Sequence, residues 1–145
     1  DQLYREVLED LMPLAERKNI DIGIETTGGL EVHTSKSDLA SVVRNLVDNA
    51  IRYTSAGGRV DLAAARRSDL IVLSIKDTGP GIPESERAHV FEPFYRVLGS
   101  EEIGSGLGLS IVKTISDRLG FEIAVTYSDE NQATGLTATV TIPAR

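Results

Sequence analysis

Residues 37–53, with the sequence SDLASVVRNLVDNAIRY, follow one regular period without a gap. Their apolar side chains recur every three or four residues, which is the spacing of one helical face. Those side chains are Leu39, Val42, Val43, Leu46, Val47, Ala50 and Ile51. Ser37 or Asp38 is a suitable N-cap, so the sequence predicts an amphipathic helix that ends at about Tyr53. Such a helix needs a second layer against which its apolar face is buried.

The flanking segments supply that second layer. Strands are predicted at residues 19–25, 30–34, 59–65, 69–76, 121–127 and 136–142. Further helices are predicted at residues 3–18, 84–90 and 107–119, and Pro13 should bend or divide the first of these. Because hairpins exclude an all-parallel sheet, we predict an α/β (α+β) two-layer sandwich, with about three main helices on a mixed sheet of about five or more strands. The length fits a single domain over residues 1–145.

The composition excludes several classes of function. The 145 residues include 15 Lys and Arg against 22 Asp and Glu, a net charge of −7, which argues against nucleic acid as a partner. The absence of Cys excludes disulfides, thiolate metal sites and thiol nucleophiles. No apolar run is long enough to span a membrane. The chain begins at Asp1 without an initiator Met, and we interpret it as a soluble piece of a larger protein.

The long helix carries a polar strip beside its apolar face. Successive residues are about 100° apart around a helix, so Asn45, Asn49 and Arg52 share this strip. Amide oxygens suit a Mg²⁺ ion that keeps waters and shares phosphate oxygens. Arg52 could hold phosphate charge, and Tyr53 could lie against a base. Taken alone, however, the strip is better explained as a solvated helix flank.

Two glycine-rich segments follow. Residues 77–82, DTGPGI, come directly after a predicted strand, where Asp77 could accept a hydrogen bond from an exocyclic amine. Gly79 and Gly81 would admit a flat ring, although an ordinary turn has the same composition. Residues 104–109, GSGLGL, precede a helix and could present free N–H groups to a phosphate, or serve as a hinge. They are not a P-loop, because no Lys-Ser/Thr pair follows.

The order of these segments is more specific than any one of them. The Asn pair, the Asp77 segment, the sequence FEPF at residues 91–94 and the second glycine segment occur in succession. They closely resemble the N, G1, F and G2 boxes of the ATP-binding catalytic domain (GHKL or Bergerat type) of bacterial two-component sensor histidine kinases. The resemblance runs from about residue 1 to the end of the chain and includes a last strand with Thr137 and Pro143.

The resemblance implies a role for each matching residue. Asn49 would be the principal Mg²⁺ ligand, with Asn45 beside it near the triphosphate of ATP. Arg52 would pair with phosphate, so that Asn45 and Arg52 are the implied catalytic residues. Tyr53 would stack near the adenine, and Asp77 would receive the adenine amino group.

The remaining implied contacts to the nucleotide form the base pocket and a lid. They are Gly79, Gly81, Ile82, Arg96, Gly104, Gly106, Leu107, Gly108, Leu109 and Thr137. The segment between Arg96 and Gly104 would be the ATP lid, anchored by Phe91, Phe94 and Tyr95 and ordered on nucleotide binding.

Asn45 also indicates the type of reaction. In related ATPases such as gyrase, a Glu at this position is the general base, and an amide cannot take a proton as a carboxylate does. The resemblance therefore favours phosphotransfer over hydrolysis. The acceptor would be a His on a separate dimerisation domain of the same protein, which then passes the phosphoryl group to a response regulator. Neither His33 nor His89 has the sequence context of that acceptor, so this chain alone is expected to bind Mg·ATP or ADP without autophosphorylation.

The resemblance further implies the cytoplasmic portion of a membrane-anchored sensor kinase, and a monomer when the domain is isolated. Two alternatives stay open at this point. One is a protein-serine kinase of the anti-sigma-factor type, and the other is a degenerate nucleotide-sensing interaction module.

Overall fold

The computed structural model describes residues 2–26, 30, 34–82, 85, 87, 89–92, 108–129, 131–132 and 134–143. Within these ranges, three α-helices pack on a five-stranded mixed sheet, which confirms the predicted fold class. The helices are α1 (Gln2–Arg17), α2 (Lys36–Tyr53) and α3 (Gly108–Leu119). The strands are β1 (Asp21–Thr26), β2 (Arg59–Arg67), β3 (Leu70–Asp77), β4 (Glu122–Thr126) and β5 (Leu136–Pro143).

The strands lie in the order β1-β2-β3-β5-β4. β1 is parallel to β2, and every other neighbouring pair is antiparallel. β5 is therefore inserted between β3 and β4, although it comes last in the chain. In this register Leu136, the first residue of β5, lies opposite Asp77, the last residue of β3.

One face of the sheet and one face of each helix form the core. The two central strands bury every second residue on the helical side: Ile71, Leu73 and Ile75 of β3, and Leu136, Ala138, Val140 and Ile142 of β5. On α2 the buried positions are the seven apolar residues that define its predicted face. The burial of this face, rather than helix propensity, holds α2 in place, and its polar strip is left beside the core.

Two details of the helices differ from the prediction. α2 begins at Lys36, because Ser35 is the N-cap and its hydroxyl accepts from the Asp38 N–H at 3.3 Å. Of the two effects expected of Pro13, a bend or a division, the division does not occur, since α1 is one helix that continues through Pro13. Leu11 and Ala15 are buried on either side of Pro13, which is itself exposed, so burial of the apolar face outweighs the lost backbone hydrogen bond.

Some predictions concern residues outside the described ranges. They include most of the strand expected at 30–34, residues 84, 86 and 88 of the helix expected at 84–90, and the segment 93–107 with the expected lid. Among the helices that the structure describes, none combines the length and apolar character needed to cross a membrane.

Candidate functional site

A buried carboxylate stands at the end of β3. Asp77 is 3% exposed, and its Oδ1 accepts hydrogen bonds from the backbone N–H groups of Gly79 (2.9 Å) and Leu136 (3.0 Å). Burial raises the pKa of Asp77 from 3.8 to about 6, although the two N–H bonds act to lower it. The group is therefore mostly ionised at neutral pH, and it is suited to accept a further hydrogen bond from a ligand amine.

The glycine turn after Asp77 is closely surrounded by backbone. Gly81 has a φ of +79°, and a Cβ on it would lie 2.6 Å from the Gly135 carbonyl oxygen. A Cβ on Gly79 would lie 2.6 Å from the carbonyl oxygen of Tyr53, the last residue of α2. The turn therefore packs between the end of α2 and the segment that leads into β5. Neither Gly79 nor Gly81 has room for a side chain.

β5 completes this arrangement. The Ser128 hydroxyl donates to the Asp77 carbonyl oxygen at 3.0 Å, and it lies 3.0 Å from Oγ1 of Thr137. Thr137 is the second residue of β5 and pairs with Lys76 across the sheet. Ser128 therefore links Thr137 to the backbone of Asp77, whereas the Thr137 side chain shares the sheet face of Lys76, opposite to the face that carries the Asp77 carboxylate.

The polar strip of α2 leads away from Asp77. Because Tyr53 contacts the glycine turn, Asn49 and Asn45 lie about 6 Å and about 12 Å further back along the helix axis. Both Asn side chains are half-buried, and Nδ2 of Asn45 donates to the Ser41 carbonyl oxygen at 2.8 Å.

Arg52 is engaged within the same helix. Its Nε lies 3.1 and 3.0 Å from the two carboxylate oxygens of Asp48, an ion pair one turn apart on a partly exposed surface. Asp48, which the sequence interpretation did not single out, is thus the partner of Arg52, and the i, i+4 spacing of opposite charges was the signal that could have found this pair.

The direction of α3 relative to α2 follows from one ion pair between them. Arg118, near the end of α3, forms an ion pair of 2.9 Å with Asp38, near the start of α2, and the two helices pack along each other. They must therefore be antiparallel. The N-terminus of α3, at Gly108 and Leu109, therefore lies toward the C-terminal half of α2.

The donors in this region suit a cation that arrives with phosphate. Among the residues that the structure describes, no three His, Cys, Asp or Glu side chains are grouped so that they could hold a metal ion. The strip of α2 offers neutral amide oxygens, which complete the coordination of Mg²⁺ when phosphate oxygens and waters supply the rest. These residues therefore suit a magnesium ion that phosphate oxygens and waters also coordinate better than one held by protein groups alone.

The site residues predicted from the sequence therefore form two adjoining groups. Tyr53, Asp77, Gly79 and Gly81 meet at the ends of α2 and β3, and Asn45, Asn49 and Arg52 extend along α2. Thr137 lies on the other face of the sheet, and Gly108 and Leu109 begin α3, which packs on α2. The Ile82 side chain is buried in the core.

Other predictions have a different outcome. Arg96, Gly104, Gly106 and Leu107 lie outside the described residues, as does His33. His89 is an exposed residue paired with Glu92 at 2.9 Å, as expected for a surface position.

Comparison with known proteins identifies what this arrangement resembles. Residues 34–145 match the family model described as histidine kinase-, DNA gyrase B- and HSP90-like ATPase. The swarming motility regulation sensor protein RssA of Serratia marcescens is 32% identical over 125 residues, which are 86% of this chain and 27% of RssA. The chain spans about a quarter of the length of the curated relatives that it matches.

Solved structures give the same result. A structure of the mycobacterial sensor histidine kinase MprB is 34% identical with a TM-score of 0.86, over 98% of this chain and 96% of that one. The histidine kinase ThkA in complex with the response regulator protein TrrA is 29% identical with a TM-score of 0.82, over 99% of this chain and 40% of that one.

Proposed function

This chain belongs to the family of histidine kinase-, DNA gyrase B- and HSP90-like ATPases, and from that premise we propose that it is the ATP-binding catalytic domain of a sensor histidine kinase. In this proposal it binds Mg·ATP and donates the γ-phosphoryl group to a His on a dimerisation domain of the same protein. A response regulator then receives the phosphoryl group. The catalytic domain acts in the cytoplasm as part of a membrane-anchored kinase, and it is a monomer when isolated.

The observation that carries the proposal is the buried Asp77 beside a glycine turn without room for side chains. Its Oδ1 is fixed by the Gly79 and Leu136 N–H groups, so its second oxygen is the natural acceptor for the amino group of adenine. Thr137 lies on the sheet face opposite to the Asp77 carboxylate, so we assign it a supporting role through Ser128 and the Asp77 backbone, without a direct contact to the base. Tyr53 would cover the ring.

The strip on α2 is assigned to the phosphates. Asn49, with Asn45 beside it, would hold Mg²⁺, which neutralises charge on the phosphate oxygens when it is bound. Arg52 would turn from Asp48 toward phosphate at little cost, because the pair is partly exposed. The N-terminus of α3 at Gly108 and Leu109 would add backbone N–H groups, together with Gly104, Gly106, Leu107 and Arg96 from the lid.

Asn45 supports transfer to a protein acceptor instead of to water. Its Nδ2 donates to the Ser41 carbonyl oxygen, which leaves the neutral amide oxygen for a ligand. Because an amide oxygen cannot take a proton as a carboxylate does, the chain has no general base at this position. The ThkA–TrrA complex supports a response regulator as the final recipient, because that complex pairs a related kinase with such a protein.

Titration calorimetry with ADP and Mg²⁺ tests the nucleotide site. The wild-type chain should bind, Asp77→Asn should remove most of the affinity, and Asn49→Asp should change the dependence on Mg²⁺. The exposed substitution Asp117→Asn, on α3, is the matched control and should bind as the wild type does. Absence of wild-type binding would refute the proposal.

Incubation with γ-labelled ATP tests the type of transfer. The chain alone should gain no label, and addition of a cognate His-bearing domain should yield an acid-labile, base-stable phosphate on that domain. Stoichiometric label on the isolated chain would contradict the assignment, and an acid-stable phosphoserine on a partner would favour the serine-kinase alternative.

A further inference from the structure

The last turn of α2 is the point at which the base pocket and the phosphate strip meet. The four carbonyl groups at the end of a helix have no partner within the helix and must find one elsewhere. In α2 these belong to Ala50, Ile51, Arg52 and Tyr53. The hydrogen-bond partners of these carbonyl groups determine how firmly the C-terminal end of α2 is held.

Three of the four have a defined partner. The Ala50 oxygen accepts from both the N–H (3.1 Å) and the hydroxyl (2.7 Å) of Thr54. The oxygens of Ile51 and Arg52 accept from the ammonium group of Lys18, at 3.0 and 2.6 Å. The Tyr53 oxygen is the atom that faces Gly79 of the base pocket.

Lys18 lies far from α2 in the sequence, in the turn between α1 and β1. Its half-buried ammonium is a positive charge at the negative end of the α2 dipole, a favourable placement for a cation. The connection is also reciprocal, because the Gly57 N–H after α2 donates to the carbonyl oxygens of Lys18 (3.3 Å) and Asn19 (3.1 Å). The two turns are therefore joined in both directions.

We propose that Lys18 is a positioning residue for nucleotide binding. By holding the Ile51 and Arg52 carbonyls it fixes the turn that carries Arg52 and sets Tyr53 against the glycine turn of Asp77. Lys18 contacts the backbone of α2 through its ammonium group and acts through this helix. This inference rests on the proposed nucleotide site, and it adds that α1 and the nucleotide are energetically coupled through one ammonium group.

The test is the affinity for Mg·ADP, measured by calorimetry at a temperature where thermal melts show each variant fully folded. Lys18→Met, which keeps the aliphatic stem, should weaken binding roughly fivefold or more, within the usual range of site–site coupling. Lys18→Arg should restore most of the affinity, because a guanidinium can also donate to two carbonyls. Where the Met variant does not fold, Lys18→Gln replaces it.

Lys36→Met is the matched control. Lys36 also links α1 and α2, through an ion pair with Glu6 at 3.3 Å, but it lies at the opposite end of α2. Its loss removes the same charge and should leave the ADP affinity within about twofold.

Amide exchange at Gly57 separates positioning from general stability. ADP should slow exchange of this amide in the wild type, and much less so in Lys18→Met. Unchanged affinity in Lys18→Met, with the wild type binding normally, would overturn the inference alone. Absence of wild-type binding would refute the proposed function and this inference with it.

Discussion

Replacement of Asp77 by Asn should make the nucleotide-free protein more stable while it removes nucleotide binding. The amide oxygen of Asn can accept the same two N–H bonds, from Gly79 and Leu136. The buried charge, however, is gone. A pKa of about 6 in the folded protein, against an ordinary value of 3.8, means that ionisation of Asp77 opposes folding by about 3 kcal/mol at neutral pH.

The expected gain in the stability of Asp77→Asn is smaller than this ionisation free energy, because the new amide NH₂ group must find its own hydrogen-bond partner. We expect the free energy of unfolding at pH 7.5 to rise by about 1–3 kcal/mol, which corresponds to roughly 3–10 °C in Tm for a chain of this size. Thermal and urea denaturation followed by circular dichroism would measure it. Calorimetry on the same samples should find that ADP affinity falls at least about 100-fold, because an acceptor of the adenine amino group becomes a donor.

The pH dependence gives the sharper test. The folded wild type binds a proton to Asp77 more tightly than the unfolded chain does, so the stability from this group is present below pH 3.8 and is lost as pH rises through about 6. The stability difference between Asp77→Asn and the wild type should therefore be small near pH 4 and complete above pH 7. A variant less stable than the wild type at pH 7.5, or a difference that does not depend on pH, would refute this reasoning. Asp117→Asn, an exposed carboxylate, should change stability by less than about 0.5 kcal/mol throughout.

Three further substitutions have defined outcomes. Gly81→Ala should destabilise the fold by about 2 kcal/mol or more, since its φ is +79° and the Cβ would meet the Gly135 oxygen; an unchanged Tm would contradict this. Tyr4→Phe should cost about 1–2 kcal/mol in urea denaturation, because the partly buried Ala63 oxygen loses the bond from the Tyr4 hydroxyl at 2.7 Å, and ADP affinity should stay the same. Asp48→Asn should strengthen ADP binding about two- to fivefold at low salt, because a negative charge beside Arg52 is removed; weaker binding would mean that Asp48 orients Arg52 for the ligand.

The elements with a local signal were the predictable ones. The face of α2 is encoded within 18 residues, and each strand of the β2–β3 hairpin has its own alternation, so both were predicted to within a few residues. Pro13 does not divide α1, because burial on both sides of that residue outweighs its local preference. The position of β5 between β3 and β4 has no local signature at all.

The residues of the site also differ in how far the sequence predicts them. Asp77, the glycines and the α2 strip could be identified from residue type and order. Their partners could not, because the Leu136 N–H lies 59 residues from Asp77 and the Lys18 ammonium lies 33 and 34 residues from the carbonyls it holds. Such pairs are defined only once the sheet has its strand order.

The place of β5 has a consequence for the synthesis of the protein. A growing chain that has not yet released residues 136–143 leaves β3 with an open edge and β4 without a neighbour. The same unfinished chain lacks the Leu136 N–H that fixes the Asp77 carboxylate. We therefore expect nucleotide binding to require β5, so that a product that ends before residue 136 would not compete for ATP.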